Sequence, residues 1–113
     1  MRRHASMEPF MARAEQEGYG LHISTLTLAE IESGQSMNSL TNRQEANFLL
    51  SKFETIAVND GIAQRAGEMR RIYGIEIIDA LIAATALSVN ATLVTRNIKH
   101  FEGIPELEIK TLA

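Results

Sequence analysis

Asp79 stands in the run IIDALI, a carboxylate bounded by Ile77, Ile78, Ala80, Leu81 and Ile82. Burying a carboxylate in so apolar a setting is costly unless its charge is compensated. Two compensations are open. As a helix N-cap, Asp79 would accept backbone N–H bonds at the favourable end of the macrodipole. As a metal ligand at a strand-to-helix junction, it would need another acid at the same place. Glu30 can be that acid, because it lies among Leu26, Leu28, Ala29 and Ile31 just beyond a predicted strand, although Glu32 and Gly34 suit an exposed helix end equally well. Two carboxylates can hold Mg²⁺ or Mn²⁺ loosely, since these hard ions keep several waters and ask for oxygen donors. Such an ion could generate a nucleophilic hydroxide and neutralise charge on a phosphodiester in the transition state.

Other chemistries find less support. The chain has no cysteine, which removes disulfides, thiol catalysis and cysteine-ligated metal. His4, His22 and His100 are scattered without a ligand spacing, and no serine occupies a nucleophile elbow. Gly18 and Gly20 lack the remainder of a phosphate-binding loop. The two tyrosines and four phenylalanines are dispersed, as core residues are, rather than gathered into a base-stacking platform. Arg96 and Lys99 flank Asn97 and suit either phosphate contacts or structural salt bridges.

The elements that must position these side chains follow from periodicity. Helix formers dominate Glu8 to Glu17, and Gly18 and Gly20 stop them. Leu21 to Ser24 reads as a short strand, and TLAEIESG as about two helical turns carrying Glu30. Leu40 to Phe53 opens with Thr41 and Gln44 at capping-box spacing and presents Leu49, Leu50 and Phe53 as its apolar stripe. A strand in ETIAV ends near Asn59, and Asp60 is placed to cap the next helix. In that helix Ile62, Ala66, Met69 and Tyr73 recur on one face up to Gly74. DALIAATALSV is apolar almost all round, which predicts a helix buried on several faces, closed by Asn90. ATLVT then reads as a buried strand and LEIKTL, after Pro105, as a last one.

Strands alternating with helices predict an α/β domain with a mostly parallel sheet flanked by helices. Ligands of such sheets bind beyond the carboxyl ends of the strands, where Glu30, Asp79 and Asn97 should converge. At 113 residues, with 45% hydrophobic and 22% charged residues, the chain fits a single domain over 1–113. A net charge of −3 argues against a generally basic nucleic-acid coat while leaving room for a local site. The apolar stretch Ile77 to Val89 is too short to cross a bilayer and contains Asp79, and MRRHASMEP lacks the apolar core of a signal peptide. The expected location is cytoplasmic, with no membrane partner.

The blocks STLTLAEIESG and IIDALIAATALSVNATLVTRNIKHFEGIPELEI, in this order, resemble the PIN-domain toxins of the VapC type, the ribonuclease halves of bacterial type II toxin–antitoxin pairs. The resemblance runs from about Met7 to the end and is most specific where LVTRN follows DALIAATAL. It implies a PIN-like parallel sheet, an acidic cluster binding Mg²⁺ or Mn²⁺, and cleavage of single-stranded or looped RNA. It also implies a homodimer and inhibition by a cognate antitoxin protein. Residue by residue, Glu30 matches the glutamate after the second strand, and Asp79 the aspartate that opens the buried helix. Asn97 falls at a fourth metal-proximal position, often aspartate but commonly asparagine in TRN variants. Thr95 is the hydroxyl residue beside it, suited to orient a metal-bound water. His100 replaces what is frequently aspartate, leaving contact with substrate, metal or neither open.

One departure from the pattern is large. Such toxins begin with an apolar central strand ending in Asp-Thr-Asn, whereas the only aspartates here are Asp60 and Asp79. The resemblance therefore implies that the first central strand is missing from this chain, with activity reduced or lost. The sequence leaves three origins open: a start downstream of the true one, a degenerate protein, or a strand lent by a neighbouring chain. The alternative function is a non-catalytic PIN-like module that binds an antitoxin or another partner. A third reading is a generic α/β domain whose acids are caps and surface charges.

Overall fold

Three of the described helices start where a polar side chain, Ser24, Ser39 or Asn59, accepts an otherwise unpaired backbone N–H. The computed structural model describes residues 12–13, 16–18, 20–95 and 97–111. The predicted Glu8–Glu17 helix lies largely outside the described residues; 12–13 and 16–17 are helical, and Gly18 follows at φ +76°. The chain divides into two compact units, residues 1–55 and 56–113.

In the first unit, β1 (His22–Ser24) runs directly into α1 (Thr25–Glu32). The buried Ser24 makes that junction, its Oγ accepting from Leu26 N at 3.1 Å. A 3-10 turn over Gln35–Asn38 leads to α2 (Leu40–Leu50), and β2 (Glu54–Ile56) closes back on β1. Glu54 N–H donates to Leu21 O at 2.7 Å, while the His22 and Glu54 side chains approach to 3.4 Å. The capping box expected at Thr41 and Gln44 does not form. Ser39 caps α2 instead, accepting from Asn42 N at 3.4 Å, because the helix begins one residue before Thr41. The helix also ends before Phe53, in a turn where Phe53 N–H donates to Leu50 O.

The second unit is built on α3 (Asp60–Tyr73) and α4 (Ile77–Ser88). Asn59, rather than Asp60, caps α3: its Oδ1 accepts from Ile62 N at 2.9 Å, and Asp60 falls in the first turn, where the macrodipole favours an anion. Gly74 ends α3 at φ +70° and Asn90 turns the chain after α4 at φ +54°, both as the sequence predicts. Ile62, Ala66 and Met69 of α3 are buried in one core with Ala80, Ala83 and Ala84 of α4. The alanines let two backbones approach closely with little side-chain ordering to oppose it. Phe101, Ile104 and Leu107 complete this core.

β3 (Leu93–Thr95) pairs in parallel with β4 (Ile109–Thr111), in the register Leu93 with Ile109, Val94 with Lys110 and Thr95 with Thr111. The architecture is α/β, with parallel strands and flanking helices as expected, but each strand among the described residues spans 3 residues. α4 is less enclosed than its composition predicts. Ile77 and Ile78 are 42% and 43% exposed, because the buried register of α4 begins only at Ala80. No helix among the described residues is long and apolar enough to cross a membrane.

Candidate active site

Asp79 sits in the first turn of α4 and is not its cap. The capping position belongs to Glu76, whose side chain makes no cap bond and whose carbonyl accepts from Ala80 N at 2.8 Å. The N-cap alternative for Asp79 is thus set aside: the helix starts at Ile77, so the carboxylate projects from within it. Asp79 keeps 21% of its side chain exposed, and its Oδ2 lies 3.1 Å from His100 Nδ1.

His100 comes from the turn that leaves β3. Thr95 ends that strand, and its Oγ1 accepts from Asn97 N at 3.0 Å. Asn97 O in turn accepts from His100 N at 3.0 Å, closing the 3-10 turn over Ile98–His100. Phe101, next in sequence and 4% exposed, anchors the turn in the core. Thr95, Asn97, His100 and Asp79 therefore form one linked run, assembled by β3, a single tight turn and the start of α4. Lys99 is exposed on the same turn, and Arg96 lies outside the described residues.

Glu30 belongs to the first unit. It is exposed on α1, and its carbonyl accepts from Ser33 Oγ at 2.8 Å. The enclosure its apolar neighbours suggest is absent, because α1 contains no buried residue. Among the described residues, no three His, Asp or Glu side chains gather closely enough to hold a metal. A cleft of about 190 Å³ lined by Asn59, Arg65, Leu87 and Ser88 adjoins the far end of α4, away from Asp79.

Sequence reasoning left the His100 partner open and overlooked Phe101. The signal for Phe101 was present, since Phe101, Ile104 and Leu107 recur every three residues through FEGIPEL and all three are buried.

The pattern of the PIN domain matches residues 2–107 of this chain. Ribonuclease VapC2 of Rickettsia felis is 37% identical over 94 residues, covering 75% of this chain and 69% of that protein. Ribonuclease VapC10 of Mycobacterium tuberculosis is 34% identical over 104 residues, covering 88% of this chain and 75% of that protein. Among solved structures, VapBC2 from Rickettsia felis bound to a DNA fragment from their promoter superposes with a TM-score of 0.74 at 30% identity, over 96% of this chain and 83% of that one. A toxin–antitoxin complex from Klebsiella pneumoniae gives 0.71 at 31% identity, over 91% and 84%. With the domain pattern spanning nearly its whole length and relatives alike in both sequence and fold, this chain belongs to the PIN domain family, as a member of the VapC type.

Proposed function

We propose that this chain is a divalent-metal-dependent endoribonuclease, the toxin of a type II toxin–antitoxin pair, cleaving phosphodiester bonds in single-stranded or looped RNA. The observation that carries this reading is the Asp79 carboxylate, set at the start of α4 against the Thr95–His100 turn. Asp79 and Asn97 are the residues of the second unit proposed to hold Mg²⁺ or Mn²⁺. Their donors are carboxylate and amide oxygens, which fit a hard cation, and the Asp79 carboxylate meets His100 Nδ1 through Oδ2 at 3.1 Å. When bound, the ion supplies an activated water and neutralises charge at the phosphodiester.

The remaining roles belong to the chain itself. Thr95 fixes the backbone of Asn97 through the 3.0 Å bond to its N–H, so the amide side chain leaves the turn in a set direction. Lys99, exposed on that turn, is proposed to meet RNA phosphates, as is Arg96. The proposed protein partners are a cognate antitoxin and a second copy of this chain. The exposed Ile72, Tyr73, Ile77 and Ile78 support a protein-binding surface, since soluble proteins seldom leave such groups together without a partner.

The test compares the intact chain with Asp79→Asn for Mn²⁺-dependent cleavage of RNA and for Mn²⁺ binding by calorimetry. Loss of a ligating carboxylate is expected to lower cleavage by about a hundredfold or more, each 1.4 kcal/mol of lost transition-state stabilisation being tenfold. Unchanged cleavage and unchanged Mn²⁺ affinity in Asp79→Asn would remove the site.

A further inference from the structure

We propose that His100 is a positioning residue for Asp79: its Nδ1–H donates to Asp79 Oδ2 and so aims the other carboxylate oxygen, Oδ1, as a preset cation donor. This rests on the reading of Asp79 as a metal ligand. It gives His100 a different task from the substrate contact that its place beside Lys99 suggests.

The geometry supports it at three points. The 3.1 Å separation of Nδ1 and Oδ2 is a normal hydrogen-bond distance. The imidazole is also carried on backbone that has little freedom to swing. His100 N–H donates to Asn97 O at 3.0 Å, Phe101 N–H donates to Ile98 O at 2.9 Å, and the Phe101 ring is buried. Finally, the acceptor is equally constrained, because Asp79 rises from a helix whose next turn is locked in the core by Ala80, Ala83 and Ala84. A carboxylate with one oxygen held by a fixed donor loses the freedom to rotate about its last torsion. Outer-shell donors of this kind tune metal ligands through orientation and basicity.

The contact asks only for one N–H at the Nδ1 position, and an asparagine side chain can offer an N–H there. The experiment titrates Mn²⁺ calorimetrically into the full chain, into His100→Ala, into His100→Asn and into Asp79→Asn. His100 is 55% exposed, so removal of its ring leaves the core intact. His100→Ala is expected to weaken Mn²⁺ binding by about tenfold, the lower end of the range for outer-shell substitutions. His100→Asn is expected to recover most of that loss. In the metal-free chain, the ¹⁵N resonances of the neutral imidazole should show the proton on Nδ1.

Equal affinity in the full chain and His100→Ala would overturn the proposal, as would His100→Asn binding no better than His100→Ala, or the proton residing on Nε2. If Asp79→Asn abolishes binding while His100→Ala binds as the full chain does, the positioning role alone falls. If Asp79→Asn binds as the full chain does, the metal-site reading falls and takes the positioning role with it.

Discussion

Asn97 carries an amide where a carboxylate would add charge, and the turn around it shows what that exchange would leave in place. Its N–H is held by Thr95 Oγ1 and its carbonyl by His100 N, so the side chain is the one part of the residue not used in building the turn. Replacing that amide by a carboxylate changes charge with almost no change in shape. Because cation affinity in oxygen-donor sites rises with the number of charged ligands, Asn97→Asp is expected to tighten Mn²⁺ binding by roughly tenfold, read by calorimetry. An unchanged isotherm would exclude position 97 from the ion's surroundings. Asp79 was legible at this scale because a carboxylate among isoleucines and leucines demands a partner. The identity of that partner was not, since His100 stands 21 residues away in sequence and only the folding of the β3 turn onto α4 brings the two side chains within 3.1 Å.

At the scale of elements, the helices and strands were predicted in their observed order, and the errors concentrate at helix starts. Ser39 and Thr41 at one start, and Asn59 and Asp60 at another, are all competent caps. Which one acts depends on the residue that keeps extended backbone, and side-chain type does not decide that. Helix ends are more legible, because a left-handed residue narrows the choice to glycine or asparagine. Gly74 is such an end, at φ +70° with open space around the position of an added Cβ. Gly74→Ala therefore meets no steric neighbour, and its cost is the torsional strain of an L-residue in that conformation. A loss of about 1 kcal/mol is expected by chemical denaturation. No measurable loss would mean that the α3–α4 connection can relax to a right-handed end.

Over the whole molecule, the buried core of the second unit draws on α3, α4 and the segment between β3 and β4. Periodicity named its helical members, Ile62, Ala66 and Met69, because a 3.6-residue repeat reports which face is inward. It did not name Ile104, which is 2% exposed, because that residue lies in an irregular segment outside any helix or strand, where its three-residue spacing from Phe101 and Leu107 is easily passed over. Ile104→Ala is expected to destabilise the fold by about 3 kcal/mol, within the range for emptying a well-packed aliphatic site. A loss below about 1 kcal/mol would show that the segment collapses into the space. The exposure of Ile77 and Ile78 likewise escaped the sequence: a helix apolar all round gives no sign of which turn the core will leave uncovered.

Burial of Phe101 has a kinetic consequence for the turn that precedes it. The amides of His100 and Phe101 are both bonded within this turn, and breaking them requires the phenyl ring to leave its packing. Deuterium uptake at these two positions should therefore follow cooperative opening of the surrounding core, with the same denaturant dependence as amides in the middle of α3 and α4. Uptake through a local, denaturant-insensitive fluctuation would contradict this. A loop so slow to breathe would present its polar atoms to an incoming strand already in place, with no disorder-to-order step in each encounter.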